Sequence, residues 1–200
     1  MTELSQQDGF VFYQRPNDDE ILFVSGTWVK IDLNSKPALN GFIISNADKS
    51  ASFYLEGQAK IILSKYKLTL NSSSLKRQEL DKKTYLSKAE LFINACTKDI
   101  SKVILSRIKK HRVINGDIFQ TYLNLCKEYN HSFNYLFNIP NEGTWMGATP
   151  ETLIEGSTEK HTTVALAGSK GLDNINWKEK ELNEQQFVTN YIKEKLESES

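Results

Sequence analysis

Four places in this 200-residue chain combine residue types and settings that suit chemistry. Lys102 opens the apolar run KVILSR. A lone lysine at a strand end usually decorates a surface, and what singles this one out is its company along the chain. Glu151 follows the turn Gly147-Ala148-Thr149-Pro150. Pro150 fixes its own φ and biases Thr149 away from the helical region, so the backbone entering Glu151 is stiff. Thr152, Leu153 and Ile154 come next, and a carboxylate buried at the head of that run would stay protonated, as a general acid requires. An exposed strand-end glutamate fits the pattern equally well. Gly168 and Ser169 lie in ALAGSKG, where backbone N–H groups could cradle an anion or simply turn a hairpin. Glu184 precedes Phe187 and Val188 by three and four residues and shares their helix face. A carboxylate there is costly unless paired or metal-bound. Mg²⁺ takes such oxygen ligands, often only one or two per site, although a solvated glutamate early in a helix is equally consistent.

The elements that must position these groups follow from the patterning. FVFYQRP, EILFVSG, GFIISN, ASFYLEG and AKIILSKYKLTL are rich in β-branched and aromatic residues and are separated by turn signals, so residues 1–70 read as a meander of short antiparallel strands. Residues 71–84 are polar and read as a surface connection. Ser87 and Glu90 have the spacing of a capping box for a helix carrying Leu91, Phe92, Ala95 and Cys96. KVILSRIKKHRV alternates as a strand does. Asp117 opens a second helix with Ile118, Tyr122, Leu125 and Cys126. FNYLFNIP, TWMGAT, ETLIEG and HTTVALAG read as strands, and a last helix runs from about Trp177 to near the end. Strands precede mixed elements without regular βαβ alternation, so the class is α+β, in one domain over 1–200 whose chemistry-bearing part is 85–200.

Composition narrows the partners. Twenty-five basic and 25 acidic residues leave no net charge, against the basic excess of nucleic-acid binders. No apolar run reaches the length of a membrane span, and MTELSQQDGF lacks a secretory pattern. Cys96 and Cys126 have neither disulfide nor zinc spacing and read as reduced core thiols of a cytoplasmic protein. His111, His131 and His161 have no ligand-like spacing, and Ser106 lacks the setting of a serine nucleophile.

Taken in order, four of these segments resemble the chorismate-binding enzymes. KVILSR resembles that family's K-V-V-L-S-R strand, GATPETL its G-A-S-P-E-x-L, TVALAGSKG its T-x-x-L-A-G-S/T turn, and KEKELNEQQFVTNYIKEKL its K-x-x-E-H-x-x-V-x-x-I helix. The resemblance covers residues 85–200 well and the first strands loosely. Within the family the chain is most similar to isochorismate synthases, because a lysine heads the L-S-R strand. Anthranilate synthases typically carry P-I-A-G-T-x-P-R where this chain has A-L-A-G-S-K-G. GDIFQ, at Gly116–Gln120, also occurs in anthranilate synthases, but before their L-S-R strand rather than after it.

The resemblance implies antiparallel sheets with helices outside and a site at the sheet interface. It implies that Lys102, deprotonated, activates a water that attacks C2 of chorismate. Glu151, protonated, would give its proton to the departing C4 hydroxyl. Gly168 and Ser169 would hold a substrate carboxylate, and Glu184 would hold Mg²⁺. The isochorismate formed would feed menaquinone or siderophore formation. The alternatives are an anthranilate or aminodeoxychorismate synthase component and a non-catalytic chorismate-binding module. Gln185 stands where the family usually has His, and the segment from Gly168 to Glu184 is short. Family members continue beyond this helix, so the resemblance also implies a fold incomplete at its C-terminus, with further active-site wall to come.

Overall fold

The computed structural model describes residues 2–32, 40–46, 48, 50–62, 66–69, 79–96, 100, 103–111, 116–152, 154–157, 159–168, 170–173 and 176–198. Along the chain these form strands β1 (Thr2–Ser5), β2 (Phe10–Gln14), β3 (Ile21–Ser25), β4 (Trp28–Lys30), β5 (Gly41–Ser45), β6 (Ser52–Glu56), β7 (Lys60–Ile61) and β8 (Tyr66–Thr69). Helices α1 (Lys82–Ala95) and α2 (Ile118–Glu128) follow, then strands β9 (Phe133–Ile139), β10 (Gly143–Thr149), β11 (Glu155–Gly156) and β12 (His161–Thr162), and helix α3 (Glu179–Ser198). The α+β class is thus observed, with several antiparallel sheets and three helices among the described residues.

A five-stranded sheet in the order β10-β9-β2-β3-β7 is the centre of the structure. Its middle strand is covered on both faces, which is why FVFYQ is apolar almost throughout rather than alternating with charge. Phe10 and Phe12 point to one side, where Phe119, Tyr122 and Cys126 of α2 pack with Leu136. Val11 points to the other side, where it meets Val24, Leu55, Phe137 and Ile139. Leu55 belongs to a second sheet, of order β4-β6-β5, so the molecule is layered as helix, sheet, sheet.

The meander expected of residues 1–70 is only partly present. β2 pairs with β3 as a hairpin would, but its other neighbour is β9, with Phe10 opposite Asn138 and Gln14 opposite Asn134. β1 and β8 pair in parallel. Patterning marks which side of a strand is apolar, and leaves its partner open. Buried amides hold the β2–β9 register. Asn134 Nδ2 donates to Gln14 Oε1 at 2.9 Å, and Asn138 Nδ2 donates to the carbonyls of Gln6 and Asp8 at 3.1 and 2.7 Å. A one-residue slip would strand these donors in the core at a cost of about 1–3 kcal/mol each.

Helix α2 begins as expected, with Asp117 accepting from the Gln120 N–H at 2.9 Å. Helix α1 starts six residues earlier than its capping-box pattern suggests. Asp81 accepts from the Thr84 N–H at 2.9 Å and from the Thr84 hydroxyl at 2.8 Å, so Asp81, not Ser87, is the cap. The polar connection therefore ends at Asp81 rather than at residue 84. Three strands expected from the patterning are absent or cut short among the described residues. Residues 103–111 carry no strand, and the strands expected in 151–156 and 161–168 shrink to the two-residue pair β11–β12. No helix among the described residues is long and apolar enough to cross a membrane.

Candidate active site

Strand β10 ends at Thr149 because Pro150 has no N–H to give a ladder. Glu151 comes immediately after the break, its N–H donating to Thr149 Oγ1 at 3.3 Å. It lines a cleft of about 1110 Å³ together with Arg15, Asp18, His131, Phe133 and Ile154. Arg15 pairs with Asp18 at 3.2 Å on one wall. His131 Nδ1 hydrogen-bonds Asn17 Oδ1 at 2.6 Å, closing the β2–β3 turn onto the start of β9. Partial burial of Glu151 was expected from the apolar run after it. Instead Glu151 is exposed, because no strand forms there to carry it into a core, and Ile154 is exposed as well.

Glu184 lies elsewhere, half-buried on α3. It lines a groove of about 650 Å³ between α1 and α3, with Tyr85 and Phe92 on one side, Lys180 and Phe187 on the other, and Val103 and Leu105 across it. Lys102 falls outside the described residues; Val103, its neighbour in sequence, is in the groove wall. The period-2 pattern of KVIL survives without a ladder. Val103 and Leu105 turn toward the helices, and Ile104 is 79% exposed.

Gly168 meets the same helix from another side. Its φ is +79°, in the region that favours glycine, and a Cβ placed on it would lie 3.3 Å from the Cβ of Glu181 and 3.6 Å from the Trp177 ring. Gly168→Ala is therefore expected to cost about 1–3 kcal/mol, from the left-handed backbone and the crowding together. Urea unfolding of the variant would measure it, and an unchanged midpoint would mean that the turn relaxes freely. Three residues earlier the Ala165 carbonyl accepts from Gln185 Nε2 at 2.7 Å. Ser169 falls outside the described residues.

The structure thus brings Gly168, Glu184 and the wall next to Lys102 around α3, and puts Glu151 in a separate cleft; the described linings share no residue. Sequence reasoning passed over Arg15, whose only signal is a basic residue at the end of β2, and Glu181, whose Oε2 is buried with no hydrogen-bond partner. Among the described residues no cluster of three His, Cys, Asp or Glu forms a ready metal cage. Mg²⁺ needs fewer protein ligands than that. Glu181 and Glu184, three residues apart on α3, offer hard oxygen donors, and the unpartnered Glu181 oxygen suits a cation or a metal-bound water, so the donor set fits.

Tyr122 and Cys126 lie apart from both clefts. Burial pushes the Tyr122 hydroxyl far above its usual range and raises the Cys126 thiol, so neither ionises at neutral pH. Cys126 is the core thiol expected. Cys96 is instead exposed at the end of α1, in the groove wall, because the helix stops beside it.

A family model described as chorismate binding enzyme matches residues 38–200. The chain belongs to the chorismate-binding enzyme family. The match begins just before β5 and takes in both candidate carboxylates, Lys102 and the Gly168 turn. No curated protein and no solved structure matches the chain.

Proposed function

We propose that this protein is an isochorismate synthase, converting chorismate to isochorismate with Mg²⁺. The observation that carries the reading is Lys102 at the head of V-I-L-S-R. A lysine there can deprotonate water, whereas amine-transferring relatives need no such base. Lys102 takes a proton from water, and the oxygen bonds to C2 of the substrate as the ring double bonds shift. The C4–O bond breaks, and Glu151 supplies the proton that lets hydroxide leave as water. One water enters and one departs, so no reductant or oxidant is needed. Gly168 and Ser169 hold a substrate carboxylate, and Glu184, with Glu181 beside it, holds Mg²⁺, which supplies countercharge for that carboxylate. Glu151 is exposed before substrate arrives. The reading requires the Glu151 cleft and the Glu184 groove, which share no lining residue among those described, to serve one substrate.

Incubating the purified protein with chorismate and Mg²⁺ and separating the products tests the reading. Isochorismate, formed without ammonium salts, is the expected product. Anthranilate or aminodeoxychorismate, appearing only with ammonium, would replace it with the amine-transfer reading. Tight chorismate binding with no product would support a non-catalytic module. Glu184→Gln is expected to raise the Mg²⁺ concentration for half-maximal activity about tenfold or more, since losing even an outer-shell partner of a metal costs 10–100-fold. An unchanged Mg²⁺ requirement would remove Glu184 from the metal site.

A further inference from the structure

Residues 163–168 run along α3 with odd positions half-buried and Val164 and Leu166 exposed. This is the alternation of a strand, yet among the described residues no strand pairs with them. A side chain can tie such a segment to a neighbouring helix. The hydrogen bond from Gln185 Nε2 to the Ala165 carbonyl, 2.7 Å long and partly buried, is such a tie, spanning 20 residues of sequence. The helix side of the tie is itself fixed, because the Gln185 carbonyl accepts from Thr189 Oγ1 at 3.0 Å. Gln185 directly follows Glu184, and Ala165 precedes the Gly168 turn by three residues.

We propose that Gln185 is a positioning residue that sets the spacing between the metal carboxylate of Glu184 and the carboxylate cradle at Gly168 and Ser169. This rests on the function proposed above. A ligand bridging the two needs both at a fixed separation, and a misplacement of about 1 Å can cost on the order of 10²-fold in rate. An amide suits the task because its N–H donors persist at every pH, whereas an ionised carboxylate of the same shape has none.

The test compares wild type with Gln185→Glu, Gln185→His and Gln185→Ala. Gln186→Glu serves as control, because Gln186 is exposed and its side chain bonds Asn190 along its own helix. Two readouts are needed: hydrogen exchange of the 163–168 amides without ligand, and KM for chorismate against kcat. Gln185→Glu should speed exchange in 163–168 several-fold and raise KM about tenfold, with kcat changed less. Gln185→His, which keeps a ring N–H, should recover most of the loss. Should Gln185→Glu fail to fold, Gln185→Ala carries the comparison of exchange and KM. Exchange and KM matching wild type and Gln186→Glu would overturn the proposal. So would a loss of activity not rescued by Gln185→His, since that is what a merely structural role predicts. A wild-type protein that makes no isochorismate defeats the function proposed above by itself. In that case faster exchange in Gln185→Glu would still support the tie, and unchanged exchange would overturn it.

Discussion

Lys102→Ala should lower kcat for isochorismate formation by about 10²–10⁴-fold, the range lost with a positioned general base, while KM for chorismate stays within a few-fold. Lys102→Arg should be nearly as damaged despite keeping the charge, because a guanidinium does not give up its proton in a protein. That pair of variants separates the base role from simple countercharge to the substrate carboxylates, for which arginine would substitute. Steady-state kinetics with product separation decides between them, and full turnover in Lys102→Ala would move the base to another group. A base acting through free amine also sets a direction for pH. Activity should be lost as pH falls and Lys102 gains its proton, and the alanine variant's residual rate should lack that limb.

Phe12→Ala should cost about 3–5 kcal/mol of stability, the usual penalty for emptying a fully buried phenylalanine site. Phe12 is completely buried, and its ring lies 4.6 Å from that of Phe23, 4.9 Å from Tyr66, 5.0 Å from Phe119 and 5.6 Å from Phe10. These partners come from β2, β3, β8 and α2, so a single cavity would loosen four elements at once. A domain typically has only about 5–15 kcal/mol to lose, and the variant should unfold at a much lower urea concentration. Ile104→Ala removes a similar apolar group from a site that is 79% exposed and should change stability by no more than about 0.5 kcal/mol. Equal losses from the two variants would mean that the aromatic cluster is not the centre of stability.

The sequence was most informative where local chemistry decides the structure. FVFYQ and FNYLFNI form strands because apolar and β-branched residues dominate both, and α2 starts at Asp117 because a carboxylate there meets the free N–H of Gln120. It was least informative where two local solutions compete or where a partner is remote. Asp81 and Ser87 are both competent caps, and Asp81 wins by bonding Thr84 through both oxygens. Residues 103–105 and 163–167 keep the alternation of strands, but alternation cannot show whether a neighbour offers its N–H and C=O groups. For the site, the order of four motifs was enough to recognise the family. The same motifs do not reveal that Glu151 is exposed, since burial depends on whether the segment after Pro150 joins a sheet. Gln185 stands out in the sequence only as an amide in place of a histidine. Its bond to the Ala165 carbonyl depends on how α3 lies against a segment 20 residues away.

The pairing of β2 with β9 has a consequence for how the chain is made. Residues 10–14 find their second neighbour only at residues 134–138. Until residue 138 has left the ribosome, β2 has an open edge, and before α2 emerges Phe10 and Phe12 lack the face that covers them. The early strands must therefore wait, and joining ends this far apart costs loop entropy before any contact repays it. During synthesis an apolar, unpaired FVFYQ edge is the part of this protein most exposed to chaperones and to wrong partners.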